Sequence, residues 1–277
     1  MSAPVQVPRV LSIAGTDPTG GAGIQADLKS IAANGGYGMA VVTALVAQNT
    51  QGVRSVHVPP VAFLAEQLEA VSDDVAIDAV KIGMLAGSAV IETVAAWLDR
   101  VRPPVVVLDP VMIATSGDRL LDAEAEQALR DLVPKVDLIT PNVPELAVLA
   151  GRPPAHTWEA ALGQARDVAE STGVLVLAKG GHLDGESVPD ALVPPDRDAP
   201  VAEFHGTRIH TTNTHGTGCS LSSAVATRRA RLGSWELATA QSKDWLAESI
   251  AGGADLHVGR GAGPVSHFAG LWDRAGT

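Results

Sequence analysis

The single cysteine of the chain lies in a segment with the composition of an anion-binding turn. The stretch NTHGTGCSLSSA, residues 213–224, places Cys219 behind a glycine-rich turn and ahead of small residues typical of a helix. Gly216 and Gly218 allow backbone N–H groups at the helix start to point outward, where the helix dipole also favours an anion. Because a helix N-terminus favours a thiolate, Cys219 is a candidate base or nucleophile. A buried structural cysteine is the alternative interpretation.

Acidic, amide and basic side chains follow several of the predicted strands. Asp109 comes after VVVL, and Asn142 and Glu145 stand in TPNVPE. Since Mg²⁺ prefers one or two carboxylates together with water and substrate phosphates, these residues predict a magnesium site. Glu145 is equally interpreted as an acid in the first turn of a short helix, where the dipole favours it. Lys179 ends the apolar stretch VLVLAK. It is interpreted either as a lysine that neutralises phosphate charge or as a solvated lysine.

A second glycine-rich stretch, GTDPTGGAGIQAD, spans residues 15–27. Part of it fits the dinucleotide-binding fingerprint, but TDPTG separates the strand from those glycines, and the acid expected after the second strand is replaced by Gln48 and Asn49. The stretch therefore favours the floor of a small-molecule pocket over a dinucleotide site. Asp27, one turn into the following helix, is interpreted either as part of that pocket or as a solvated helix residue.

A zinc site is the weaker alternative for the second half of the chain. His205, His210, His215 and Cys219 are regularly spaced, but zinc sites usually use tighter pairs. These four residues run from an extended segment across a glycine turn, so their side chains are expected to diverge. The spacing therefore disfavours zinc.

Short β-branched strands alternate with amphipathic helices along the chain, which predicts a mostly parallel sheet covered on both faces. Two edge-like pieces, DALV and RIHTT, follow, and two helices near 217–232 and 235–253 close the chain. Ligands of open α/β sheets bind outside the carboxyl ends of the strands. The candidate residues fall at such ends and predict one crevice. The strands are predicted at 9–15, 39–48, 53–58, 78–85, 104–111, 136–142 and 174–181.

Composition limits the classes of function. The net charge of −11 argues against general affinity for nucleic acid or an anionic membrane. No apolar run reaches the roughly 18 residues of a spanning helix, and the first residues do not have the pattern of a signal peptide. One cysteine fits a reducing compartment. We therefore expect a cytoplasmic protein with a single domain over residues 1–277.

Taken together, the motifs closely resemble those of the hydroxymethylpyrimidine/phosphomethylpyrimidine kinases, in the ribokinase-like superfamily. The matching stretches cover nearly the whole chain in order, and as a set they are highly specific. They are IAGTDPTGGAGIQADLK, VTALVAQNTQGV, DAVKIGML, VVLDPVMIATSGDRLL, LITPNVPEL, KGGH, NTHGTGCSLSSA and VGRGAGPVSHF. The resemblance implies a three-layer α/β/α fold around a mostly parallel sheet. It also implies that ATP phosphorylates 4-amino-5-hydroxymethyl-2-methylpyrimidine, then its monophosphate to the pyrophosphate, in thiamine biosynthesis.

The resemblance further implies a role for each candidate residue, the use of ATP and Mg²⁺, and a homodimer. Cys219 corresponds to the catalytic base, Gly216 and Gly218 to the anion hole, and Lys179 to the residue that neutralises ATP phosphates. The loop 114–121 is expected to close over the site. Gln48 is expected to hydrogen-bond the aminopyrimidine in a pocket with Gly15, Asp27, Met84 and Val111. The expected Mg²⁺ residues, acting partly through water, are Asp109, Asn142 and Glu145.

Two other functions compete with this expectation. A pyridoxal or pyridoxine kinase of the same fold would share the cysteine-containing turn, but Gln48 and Met84 favour the aminopyrimidine. A non-catalytic pyrimidine-binding protein would need neither an anion hole nor the magnesium and lysine groups, so their presence argues against it.

Overall fold

The structure is a computed structural model that describes residues 7–112, 123–199 and 201–275. Ten strands are found in these residues, and eight of them form one sheet in the order β10-β9-β8-β7-β6-β5-β1-β2. The pairs from β2 to β8 along this order are parallel, whereas β9 and β10 are antiparallel to their neighbours. The strands are β1 (Arg9–Ala14), β2 (Tyr37–Val42), β3 (Leu45–Asn49), β4 (Gly52–His57), β5 (Ala79–Ile82), β6 (Val106–Leu108), β7 (Leu138–Ile139), β8 (Leu175–Lys179), β9 (Asp190–Val193) and β10 (Ala202–Phe204).

Helices cover both faces of this sheet, which confirms the three-layer α/β/α architecture predicted from the sequence. Helices α1, α7 and α8 pack together on one face, and α2 to α6 lie on the other. Within the described ranges, no helix is both long and apolar enough to cross a membrane. The helices are α1 (Gly23–Ala33), α2 (Val61–Ser72), α3 (Ser88–Val101), α4 (Ala123–Leu132), α5 (Val143–Ala150), α6 (Trp158–Thr172), α7 (Thr217–Leu232), α8 (Trp235–Ala251) and α9 (Ala269–Ala275).

The two faces of the sheet contribute to two separate apolar clusters. Leu11 and Ile13 of β1 pack on the side of α2 to α6. Val10, also of β1, packs on the opposite side of the sheet with Leu221 and Val225 of α7. This alternation arises because successive side chains of a strand point to opposite faces of the sheet. Because both faces are covered, a central strand such as β6, Val106–Leu108, is a continuous apolar run.

The predicted strand over 39–48 is wrong in one respect, because the chain leaves the main sheet at Thr43. The Thr43 N–H donates to Ala14 O, its hydroxyl donates to Met84 O, and Thr16 N–H donates to Ala44 O. These bonds bend the chain, and the following strand β3 pairs with β4 as a separate antiparallel ribbon. The ribbon has an irregularity between Ala47 and Gln48, of the kind that re-aims a side chain.

The C-terminal part of the fold also differs from the sequence-based expectation. RIHTT, residues 208–212, forms no strand; Arg208 instead donates to the backbone oxygens of Gly181, Leu183 and Gly185. The edge strand on this side of the sheet is β10, and a short helix, α9, follows the two helices that were predicted to close the chain.

Candidate active site

A cleft of about 720 Å³ lies at the carboxyl ends of the parallel strands. Such ends are where ligands bind in open α/β sheets. The structure brings together there all but one of the residues that the sequence assigned to substrate, phosphate or magnesium binding or to catalysis. Those that line the cleft are Gly15, Gln48, Met84, Asp109, Val111, Asn142, Glu145, Lys179, Gly216, Gly218 and Cys219.

The first glycine loop is held in shape by Asp17, a residue to which sequence reasoning gave no role of its own. Its buried carboxylate accepts hydrogen bonds from the backbone N–H groups of Thr19, Gly21 and Ala22 and from the Thr19 hydroxyl. His215 Nε2 lies 2.8 Å from Asp17 Oδ2. Burial favours the neutral acid, but these hydrogen bonds outweigh it and lower the pKa of Asp17 well below its usual range. The Asp-Pro-Thr-Gly-Gly sequence, typical of an Asp-led turn, was the available signal.

The two glycine loops interlock through backbone contacts. Gly216 caps α7 with φ of 79°, and a Cβ at this position would collide with the carbonyl oxygen of Gly21. A Cβ at Gly21 would in turn lie 2.5 Å from His215 Cδ2. The small-molecule loop and the candidate anion-binding turn are therefore positioned against each other.

An acid–base cluster faces the N-terminus of α7. Lys179 Nζ donates to Asp109 Oδ1 at 3.1 Å, and the Thr140 hydroxyl donates to the same oxygen at 2.9 Å. A Cβ at Gly218 would lie 3.4 Å from both Asp109 Oδ2 and Lys179 Nζ. Glycine at this position thus lets the start of α7 approach the two charges.

The charges of this cluster stabilise one another. Burial disfavours the Asp109 carboxylate, but Lys179 and Lys81 outweigh it and lower the pKa of Asp109. Burial likewise disfavours the Lys179 ammonium, yet the neighbouring Asp109 and Glu145 raise the pKa of Lys179. Asp109 and Lys179 are therefore both charged at neutral pH, and solvated lysine is the wrong interpretation of Lys179.

Asn142 and Glu145 cap the N-terminus of α5 and also line the cleft. The Asn142 side chain accepts from Glu145 N–H, and Glu145 Oε2 accepts from Asn142 N–H, each at 2.9 Å, which is a capping box. Burial and the charge of Asp109 raise the pKa of Glu145 to about 7, against the opposing effects of Lys179 and two backbone N–H groups. The helix-start interpretation of Glu145 is thus confirmed, and its carboxyl group also belongs to the cluster.

Cys219 lies in the first turn of α7 and lines the cleft, but its acidity differs from the expectation. A helix N-terminus alone would favour the thiolate. In the structure, burial raises the pKa of the Cys219 thiol to about 11, with further increases from Asp27 and Asp109. Lys81 and the nearby Gly23 N–H oppose this rise.

Asp27 was expected in the substrate pocket, and this expectation is wrong. Its carboxylate is fully buried between α1, α7 and β5 and does not line the cleft. Lys81 Nζ lies 2.8 and 2.9 Å from the two Asp27 oxygens, which also accept from the hydroxyls of Ser12 and Ser223. A lysine inside the apolar stretch DAVKIGML was the sequence signal that could have identified this ion pair.

The zinc alternative has no counterpart in the described part of the chain, where no three His, Cys, Asp or Glu side chains form a group that could hold a metal ion. His215 contacts Asp17, and His210 is exposed beside Glu186. The loop 114–121, expected to close over the site, lies outside the described residues.

Comparison with known proteins identifies the family. The family model described as phosphomethylpyrimidine kinase matches residues 17–266. The chain belongs to the phosphomethylpyrimidine kinase family. A hydroxymethylpyrimidine/phosphomethylpyrimidine kinase of Escherichia coli is 50% identical over 263 residues, covering 95% of this chain and 98% of that protein.

Two further comparisons place this family member among its relatives. A thiamine biosynthesis multifunctional protein of Corynebacterium glutamicum is 57% identical over 260 residues, covering 94% of this chain. The chain spans only 34% of the length of that relative. The crystal structure of an ADP complex of Bacillus subtilis pyridoxal kinase is 31% identical, with a TM-score of 0.86 and coverage of 95% of this chain and 98% of that chain. The fold is ribokinase-like.

The interlocked loops predict that Gly216→Ala will lower both stability and activity. Alanine at positive φ costs about 1–2 kcal/mol, and the contact with Gly21 adds to that cost. Gly233→Ala is the matched control, because Gly233 has φ of 72° at the other end of α7 and open space around it. Urea unfolding should show a larger loss for Gly216→Ala, with kinase activity lost there alone. Equal losses of stability would mean that the loops do not depend on this contact.

Proposed function

We propose that this chain is an ATP-dependent kinase that phosphorylates 4-amino-5-hydroxymethyl-2-methylpyrimidine and then its monophosphate to the pyrophosphate, in thiamine biosynthesis. The observation that carries the proposal is the cleft itself. It brings a cysteine on a glycine-capped helix start against a lysine and two acids, in a chain that matches this kinase family over residues 17–266. Positioning and charge neutralisation are what phosphoryl transfer requires.

The transferred phosphoryl group would lie at the start of α7. Gly216 and Gly218 leave room for it, and the backbone N–H groups and helix dipole there favour an anion. The Lys179 ammonium, charged and at the edge of the cleft, would neutralise ATP phosphates. The ADP complex described for the similar Bacillus subtilis pyridoxal kinase supports ATP as the phosphoryl donor.

Mg²⁺ is proposed to bind beside Asp109, with Asn142 and Glu145 acting partly through water. The donor chemistry fits, because Asp109 is ionised and Glu145 places a second carboxyl group in the same cluster. When bound, the ion would neutralise charge on the phosphate oxygens.

The pyrimidine is proposed to lie between the first glycine loop and the β3–β4 ribbon. Gly15, Gln48, Met84 and Val111 line this part of the cleft. The substrate hydroxyl oxygen forms a bond to the γ-phosphorus as the bond to ADP breaks, and the Cys219 thiolate takes the hydroxyl proton. In the second reaction a phosphate oxygen of the monophosphate is the nucleophile.

A pyridoxal kinase is the second candidate, because a pyridoxal kinase shares the fold with a TM-score of 0.86. The 50% identity to a hydroxymethylpyrimidine/phosphomethylpyrimidine kinase over nearly the full length of both chains favours the pyrimidine substrate.

The assembly and location are further proposals. We infer a cytoplasmic homodimer in which residues 1–277 form one domain. Exposed apolar side chains on the β3–β4 ribbon support the dimer, among them Leu45 (50% exposed) and Val56 (42% exposed). A free cysteine supports a reducing compartment.

A coupled assay of ADP release tests the activity. We expect turnover with the hydroxymethylpyrimidine and with its monophosphate, and a lower kcat/KM with pyridoxal. A higher kcat/KM for pyridoxal would establish the second candidate instead, and no turnover with any of the three would contradict a kinase function.

Gln48→Leu tests recognition of the pyrimidine. A side-chain amide offers both a donor and an acceptor to the aminopyrimidine edge. Its loss would leave ring groups unpaired at a cost of about 1–3 kcal/mol, so the KM for the pyrimidine should rise while the KM for ATP changes little. The matched control is Gln51→Leu, because Gln51 is a second glutamine that lines the cleft. An unchanged KM for the pyrimidine in Gln48→Leu would remove Gln48 from the substrate pocket.

Cys219→Ala and Cys219→Asp test the proposed base. General-base catalysis is worth about 10²–10⁴-fold, so the alanine variant should lose kcat over that range with little change in the KM for ATP. The aspartate variant should keep measurable activity, since a carboxylate can accept the same proton. Because burial raises the pKa of the thiol to about 11, the thiolate is the minor form at neutral pH and wild-type kcat/KM should rise as the solution becomes alkaline. Near-wild-type kcat in Cys219→Ala would show that another group accepts the proton.

A further inference from the structure

The fully buried ion pair between Asp27 and Lys81 takes no direct part in the proposed phosphoryl transfer. Lys81 lies on β5 in the middle of the sheet, and Asp27 lies on α1. Both side chains have no exposed surface. A buried ion pair is weak support for stability, because apolar residues of similar volume often replace one at no loss. Its position therefore matters more than its strength.

The ion pair lies one helical turn below Cys219. Residues four apart share one face of a helix, so Ser223 stands below Cys219 on α7, and Asp27 stands below Gly23 on α1. The two helices contact at both levels: the Gly23 N–H lies near the thiol and lowers the pKa of Cys219, and the Ser223 hydroxyl donates to Asp27 Oδ1 at 2.9 Å. Lys81 binds both oxygens of that carboxylate.

The Lys81 side chain extends along β5 toward the cleft. A Cβ at Gly83, two residues further along the strand, would lie 2.8 Å from Lys81 Nζ. The ammonium group is thus directed to the carboxyl end of the strand, where the cleft lies. Burial disfavours its charge, but Asp27, Cys219 and Asp109 outweigh burial and raise the pKa of Lys81 above its usual value. The positive charge below the thiol is therefore permanent.

We propose that Lys81 is a positioning residue whose ammonium group, held by Asp27 one helical turn below Cys219, favours the thiolate form of that cysteine. This inference rests on the proposed function of Cys219 for its catalytic meaning. The other charged groups that act on the thiol are Asp109, at the end of β6, and Lys179, at the end of β8. Lys81 is the strongest of the influences that lower the pKa of Cys219.

The single cysteine of the chain makes a direct test possible, because only Cys219 can react with iodoacetamide as a thiolate. The rate of alkylation against pH, measured without nucleotide or Mg²⁺, gives the midpoint of thiol ionisation. Asp27→Asn removes the negative charge and keeps Lys81, so the midpoint should fall by about one pH unit. The double variant Asp27→Asn/Lys81→Met removes both charges, and its midpoint should lie about one pH unit or more above that of Asp27→Asn.

Asp78→Asn is the matched control. Asp78 forms an ion pair with Arg9 at the amino ends of β5 and β1, where its carboxylate accepts hydrogen bonds from Arg9 N, Nε and Nη2. This variant should lose stability without a change in the alkylation midpoint. Equal midpoints in the wild type, Asp27→Asn and the double variant would overturn the inference and leave the pair a purely structural role. If circular dichroism shows that the double variant does not fold, the difference in alkylation midpoint between Asp27→Asn and Asp78→Asn decides the question by itself.

Kinase measurements on the same variants separate this inference from the proposed function. The rise of kcat/KM with pH should move with the alkylation midpoint in Asp27→Asn. Shifted alkylation together with near-wild-type kcat in Cys219→Ala would contradict the base assignment and leave the influence of Lys81 on the thiol intact. An unshifted alkylation midpoint together with a large loss of kcat in Cys219→Ala would support the base assignment and contradict the influence of Lys81 on the thiol.

Discussion

Each charged side chain buried beneath the cleft is stabilised by an oppositely charged neighbour, and the arrangement of the candidate site depends on these ion pairs. Asp27 and Lys81 lie below the thiol, and Asp109 and Lys179 lie beside it. An unpaired charge in such a position would cost several kcal/mol or would be neutralised. Pairing keeps Lys81, Asp109 and Lys179 ionised, so fixed charges surround the place where a phosphoryl group is proposed to react. Glu145, whose pKa is raised to about 7, is the member of this cluster closest to neutralisation.

The backbone places these charges by bringing two glycine loops into contact. Asp17 organises the first loop through hydrogen bonds from three backbone N–H groups, and His215 connects it to the second. Gly216 allows the start of α7 to pack on Gly21, where a side chain would not fit. The loop proposed to hold the pyrimidine and the turn proposed to hold the phosphoryl group therefore form one unit, so a change in one loop is expected to affect the other.

The β3–β4 ribbon shows how a small departure from the sheet creates a binding surface. Strand β2 ends at Val42, and bonds from Thr43 to Ala14 and Met84 turn the chain away from the sheet. The ribbon that follows carries Gln48 to the cleft beyond an irregularity in its register. A straight continuation of β2 would have left this side chain at the edge of the sheet. The same departure exposes apolar side chains on the ribbon, where a second copy of the chain is proposed to bind.

The sequence by itself determined the layered fold and most of the cleft. Alternating strands and helices predict a covered parallel sheet, and the polar or glycine residues at the strand ends must then meet at one edge, because parallel strands end together. Only the tertiary structure decided the environment of each group. Asp27 has the spacing of a pocket residue, yet contacts from Lys81, Ser12 and Ser223 bury it. Cys219 stands at a helix start, which favours a thiolate, but the surrounding layers remove water and raise the pKa of its thiol. Burial and charge pairing arise between residues that are far apart in the chain, for example 54 positions for Asp27 and Lys81, so local sequence patterns do not contain them.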